Sequence, residues 1–184
     1  MNKESKQVLK RMANALEERA KPGLTYRQYI RVLEGVAYCL AGPWLAAFRL
    51  DETLEDCVMD RRLNVVNGGV EYPDFRAAIP PALDEGTEVD LEMLRPLLEC
   101  VGRRIKGVYL TIDWSAGGKG TPIIMAHASA SDATFSPTRT RDAIRALGDD
   151  ILKTGKVYYE ARRGMLIVVS EDKRRFALIP AIPA

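Results

Sequence analysis

Residues 69–80 read GVEYPDFRAAIP, and the organisation of the chain turns on them. The run before them, DCVMDRRLNVVN (56–67), has the character of strands, and the run after them, EVDLEMLRPLLECVGRR (88–104), that of a helix. A free tether between two such regions needs polar, flexible residues. This segment instead carries Tyr72, Pro73, Phe75, Ile79 and Pro80, which are rigid or apolar. It is expected to pack against something.

The 184 residues suffice for one large domain or two small ones. With 47% hydrophobic and 28% charged residues, the balance is that of an ordinary globular protein. No apolar run approaches the roughly 20 residues needed to span a bilayer. The start, MNKESKQVLKRMANALEERAKPG (1–23), is charged throughout and lacks the apolar centre of a secretory signal. A cytoplasmic protein is expected, with no membrane partner. Cys39, Cys57 and Cys100 form no CxxC pair, which fits reduced, buried thiols better than a disulfide frame or a zinc site. The one histidine, His127, has no evident convergent partners, so neither metal chemistry nor a Ser-His-Asp triad is supported. No cofactor and no catalytic residue are expected. A net charge of +2 gives no overall basic field, leaving only its distribution to consider.

Periodicity predicts an α+β fold built from about three units, each a helix followed by strands. In the first, TYRQYIRVLEGVAYCLAG (25–42) places Tyr26, Ile30, Leu33, Ala37 and Leu40 at helical spacing, with Gly42-Pro43 as the stop. WLAAFRL (44–50) and DRRLNVVNG (60–68) then read as strands. In the second, Asp90 is a candidate N-cap for a helix carrying Leu91, Leu94, Leu98 and Val101, irregular at Pro96. KGVYLTIDW (106–114) and TPIIMAHAS (121–129) follow as a hairpin around SAGGKG (115–120). In the third, Ser136-Pro137 opens a helix with Ile144 and Leu147 inward and Gly148 as its stop. KVYYEA (156–161), GMLIVVS (164–170) and RFALIPAI (175–182) complete it as strands. Units two and three are expected to share a domain, leaving unit one in need of a partner for its sheet edge and helix face. Residues 2–21 read as a further amphipathic helix, with Val8, Leu9, Met12, Ala15 and Leu16 on one side; it either covers unit one or recognises a partner.

GVEYPDFRAAIP resembles the G-x-F-P-D-Y-x-x-V-I-P segment that joins the middle and last domains of bacterial DNA polymerase III β sliding clamps. Tyr72 and Phe75 match its aromatics, Pro73-Asp74 its Pro-Asp and Ile79-Pro80 its end. RFALIPAI is similar to the final clamp strand, with Ile179-Pro180-Ala181 where the family has a Met-Pro-Met-Arg type ending. DLEMLRPLLECVGRRIKGVYLTID (90–113) resembles a clamp helix and the strand after it, and FSPTRTRDAIRAL (135–147) the clamp's last inner helix, in the same order. By this resemblance residues 70–184 form a last clamp domain, and residues 1–69 an N-terminal helix plus the second half of a middle domain. The first half of that domain, with its Thr-Asp-Gly-His-Arg-Leu type motif, has no counterpart, and neither has the first domain.

Clamps catalyse nothing; they encircle duplex DNA without sequence preference and tether polymerases and repair proteins through short linear motifs. Basic helix faces suit such sliding because they attract phosphates without reading bases. Here Arg27 and Arg31 on the first expected helix, Arg103 and Arg104 (with Lys106) at the end of the second, and Arg139, Arg141 and Arg145 on the third are the candidates. The same arginines could serve solubility alone. The family's apolar partner pocket implies Tyr72, Pro73, Ala78 and Ile79 on one wall and Ala177, Ile179, Pro180 and Ala181 on the other. Ordinary core packing of Ala177 and Ile179 is the alternative. Without methionines or the His-Arg-Leu wall, weak partner binding or an altered motif is expected.

A clamp ring holds about twelve helix-plus-strand units, so about four such chains could close a homo-oligomeric ring. A non-ring protein that occupies clamp partners is equally compatible. A small ligand-sensing domain using SAGGKG is a further alternative, although that turn lacks phosphate-loop spacing and opens no helix.

Overall fold

Asn2 starts the first helix of the computed structural model, which describes residues 1–51, 54–84, 86–90, 94–98, 109–113, 123–127 and 134–182. Its side-chain oxygen accepts from the Ser5 amide at 2.7 Å, satisfying a donor that the first helical turn leaves free. Helix α1 (Lys3–Ala15) then buries Val8, Leu9 and Met12, with Leu16 just beyond its end. This is most of the stripe the sequence predicts, with Ala15 only partly buried, but the helix stops at Ala15 instead of running to residue 21; it packs against the sheet and a second helix.

The helix expected over 25–42 does not form. A single 3-10 turn (Thr25–Gln28) leads into strands β1 (Ile30–Leu33) and β2 (Val36–Ala41), paired antiparallel with Leu33 opposite Val36. Glu34 and Gly35 between them both have positive φ, 52° and 74°, as a type I′ hairpin loop requires. β-Branched Ile30, Val32 and Val36 favour the strand, and burial alternates along both strands. A second two-residue loop, Gly42-Pro43, joins β2 to β3 (Trp44–Arg49). Gly42 has φ 67°, and the ring of Pro43 fixes a negative φ, the combination of a type II′ turn. β4 (Cys57–Met59) pairs back on β1, and the 60–68 run beyond it holds a turn at 61–62 and an isolated bridge at Val65 instead of a strand. The helix of unit one is therefore α1, which periodicity alone sets outside the unit.

Residues 94–98 form a helical stretch, α2, with Leu94 and Leu98 buried. β5 (Thr87–Val89) precedes it, and β6 (Tyr109–Asp113), β7 (Ile123–His127) and β8 (Thr134–Phe135) follow as a small sheet in the order β7-β6-β8. Val101, Arg103, Arg104, Lys106 and SAGGKG lie outside the described residues.

Ser136 caps α3 (Pro137–Leu147) and Gly148 ends it with φ 113°, as the sequence predicts. A one-turn helix α4 (Ile151–Thr154) leads to β9 (Lys156–Glu160), β10 (Met165–Val169) and β11 (Arg175–Pro180). One eight-stranded sheet runs β4-β1-β2-β3-β11-β10-β9-β5. Unit one thus finds its partner within the chain: β3 pairs with β11, Leu45 opposite Leu178, and α1 packs on α3.

Helices α1 and α3 cover one face of this sheet. The principal core lies between them and includes Leu9, Met12, Phe48, Ile144, Leu147, Leu166, Ala177 and Ile179. Segment 69–83 crosses the opposite face. Its Phe75, Tyr72, Ile79 and Leu83 pack with Tyr38, Leu45, Ile167 and Leu178 in a second apolar cluster. Tyr38 and Phe75 rings lie 4.5 Å apart, and Tyr72 meets Phe75 edge-on at 5.8 Å. The rigid, apolar composition of GVEYPDFRAAIP is that of a strap sealing the outer face of the sheet.

Candidate functional site

Two cavities meet at the β2–β3 turn. On the outer face, an apolar pocket of about 180 Å³ is lined by Leu40, Gly42, Pro43, Trp44, Leu45, Phe75, Ala78, Met165, Leu178 and Pro180. The strap contributes Phe75 and Ala78, and the paired ends of β3, β10 and β11 contribute the floor.

Of the expected lining residues, Ala78 and Pro180 are in place. Ala177 and Ile179 are not: both are fully buried in the core beneath the helices. Successive side chains of a strand point to opposite faces, so Leu178 and Pro180 face the pocket while their neighbours turn inward. Ala181 packs against the same inner core. Pro73 is exposed and forms no part of the lining. Tyr72 and Ile79 belong to the cluster that anchors the strap. The Tyr72 hydroxyl donates to the Tyr29 carbonyl at 3.2 Å, with the Tyr38 carbonyl at 3.4 Å, and burial pushes its pKa far up. Gly42, Pro43 and Trp44 form a further wall of the pocket. Reading Gly42-Pro43 as a helix stop conceals it; a Gly-Pro pair between two alternating runs is the available signal.

On the helix side of the same turn opens a larger cleft of about 760 Å³. Arg11 and Asn14 of α1, Arg139, Asp142 and Arg145 of α3, and Glu17, Arg27 and Trp44 border it. Arg27 is held by Glu17 at 3.1 Å, and Arg11 lies 3.7 Å from Asp150. Among the described residues no ion pair engages Arg139 or Arg145. Arg141 is turned aside and is largely buried, 3.7 Å from Asp142. Arg27 and Arg31 do not share a helical face: Arg27 sits on the 3-10 turn, and Arg31 on β1 points away from the helices, opposite to buried Ile30 and Val32. What the sequence reading missed is the outer face of α1, where Lys3, Lys6 and Lys10 are exposed at three- and four-residue spacing. No group of three or more metal-ligating side chains occurs among the described residues, and none of their helices is long and apolar enough to cross a membrane.

No protein-family model matches the sequence, and no curated protein matches it. Solved structures do. The Helicobacter pylori β clamp in complex with 3,4-difluorobenzamide superposes with a TM-score of 0.63 at 11% identity, over 98% of this chain and 64% of that one. The DNA polymerase sliding clamp of Pseudomonas aeruginosa gives 0.61 at 12% identity over 98% and 64%, and that of Bacillus subtilis 0.60 at 15% over 97% and 62%. The chain has the sliding-clamp fold. It spans less than two thirds of the length of each of these clamps. The parts before and after the strap share one sheet and one core.

Proposed function

We propose that this protein is a non-catalytic, shortened clamp that associates with duplex DNA through its helix layer and tethers replication or repair proteins through the apolar pocket. One observation carries the reading: a single sheet separates a basic helix layer from an apolar pocket, so DNA and a protein partner can be engaged together. Lys3, Lys6 and Lys10 on α1 join Arg139 and Arg145 on α3 as the phosphate-facing groups, and Arg103 and Arg104 extend the set. Groups of this kind position a protein on DNA without reading its sequence. Residues 1–69 and 70–184 are proposed as the two clamp-derived parts, and several copies as the ring. Native mass by light scattering, followed by retention on circular duplex DNA, tests this. A mass near four chains with retention abolished by linearising the DNA is expected, and a monomer at high concentration refutes an autonomous ring.

A non-ring scaffold that holds clamp partners is favoured by one feature. The outer edge of β4 is occupied by the chain itself, through the bridge of Met59 to Val65 and the Val66 amide on the Val58 carbonyl at 2.8 Å. A covered edge opposes pairing with another copy.

A further inference from the structure

The apolar pocket and the arginine-bordered cleft have Gly42, Pro43 and Trp44 in common. We propose that they form one bipartite groove for an extended peptide, whose apolar anchor enters the pocket while acidic side chains beside it enter the cleft. The inference rests on the reading of the pocket as a partner site and adds the charge of the segment it selects; it moves Arg139 and Arg145 from duplex phosphates to that segment and leaves the α1 lysines to the DNA.

The geometry requires the two sites to be read together. The partition between them is a two-residue hairpin loop, Ala41 paired with Trp44, and the ends of such a turn lie within about 7 Å. An extended peptide advances about 3.3 Å per residue, so it clears the turn in two or three residues. On the pocket side the lining is almost wholly apolar. On the cleft side Glu17 is matched by Arg27, and Asp142 by Arg141 from outside the cleft. Among the described residues Arg139 and Arg145 have no ion-pair partner at the rim, and both are exposed, unlike the core-facing Ala143 and Ile144. A carboxylate arriving there gains charge-assisted hydrogen bonds from planar guanidinium groups. A basic or neutral segment gains nothing. The selection is complementary to the pocket: apolar area supplies affinity, and the arginines decide which apolar segments are kept.

Fluorescein-labelled ten-residue peptides with a Leu-Phe anchor test this by anisotropy against the full chain. Three Asp/Glu residues flank the anchor on its N-terminal side, on its C-terminal side, or are replaced by Ser and Gln. One acidic peptide is expected to bind about tenfold more tightly than the neutral one at low ionic strength, with the gap closing as salt screens the rim. In the Arg139→Gln, Arg145→Gln double variant the gap should fall to within about twofold while the neutral peptide binds both proteins alike. Ala78→Gln, which narrows the pocket from the strap side, should weaken every peptide. Equal affinity of acidic and neutral peptides overturns the inference and leaves the pocket reading intact. Failure of all the peptides at millimolar concentration overturns both. Acidic preference that survives in the double variant, while that variant loses retention on circular duplex, assigns the rim to DNA phosphates and also overturns the inference.

Discussion

Replacing Phe75 by Ala tests whether the strap is a structural part of the sheet or a loop laid across it. The ring is 9% exposed, stands 4.5 Å from Tyr38 and 5.8 Å from Tyr72, and forms part of the pocket wall. Truncating a buried Phe to Ala costs about 3–5 kcal/mol, and a site at the surface of the sheet can partly collapse, so about 3 kcal/mol is expected. For a chain of this size each kcal/mol lowers Tm by about 2–4 °C, giving a fall of about 6–12 °C. Urea unfolding followed by circular dichroism reads the same quantity as a shift in midpoint at constant slope. Tyr72→Phe is the internal control: it keeps the ring stack and removes only the hydroxyl bond to the Tyr29 carbonyl, worth about 1 kcal/mol. A Phe75→Ala loss below about 1 kcal/mol would refute the packing argument. So would equal losses for the two variants, because aromatic burial would then contribute no more than one hydrogen bond.

Three further outcomes follow from the same geometry. Lys6→Glu with Lys10→Glu on α1 should weaken duplex association and flatten its dependence on salt, by roughly 0.9 in logarithmic slope for each phosphate no longer neutralised; an unchanged slope in filter-binding titrations would remove α1 from the interface. Gly42→Ala meets no atom within 4 Å at its new Cβ, so its cost is the left-handed backbone alone, about 1–2 kcal/mol in thermal unfolding; a neutral result would refute the turn assignment. Burial works against ionising Asp150, but the Arg175 guanidinium at 2.8 Å outweighs it and holds the carboxyl below its usual range. A depressed carboxyl contributes stability that is complete above its unfolded pKa of about 3.9 and is lost as pH falls through the lower folded value. Asp150→Asn should therefore destabilise the protein at pH 7 and narrow its difference from the parent in acid, which urea midpoints at several pH values would show.

The third unit is legible because local and global signals agree there. Ser136 and Gly148 bracket α3, and the three strands after it pair in chain order. The first hairpin is not, and the failure has a specific cause. Tyr26, Ile30, Leu33, Ala37 and Leu40 fall at helical intervals by coincidence, yet Ala37 and Leu40 lie on opposite faces of β2. Apolar spacing alone cannot separate the two periods in a run where both faces of the strand are covered. The discriminating signal is conformational: Glu34-Gly35 and Gly42-Pro43, each a two-residue loop at hairpin spacing, and a concentration of β-branched residues around the first of them.

The same error explains which part of the site escapes the sequence. Once 25–42 is read as a helix, the Gly42–Trp44 turn becomes a terminus with no role, and the arginines at 27 and 31 become a face they never form. With the hairpin in place, α1 is the helix of the first unit, its exposed face carries lysines, and the turn becomes the partition between pocket and cleft. On β11 the mistake is smaller and of another kind. The strand is identified with its bounds nearly right, but a choice of face differs by one residue, and that step exchanges Ala177 and Ile179 for Leu178 and Pro180. Motif resemblance locates a wall along the chain; only the pairing of Leu178 with Leu45 fixes which side chains of β11 face the pocket.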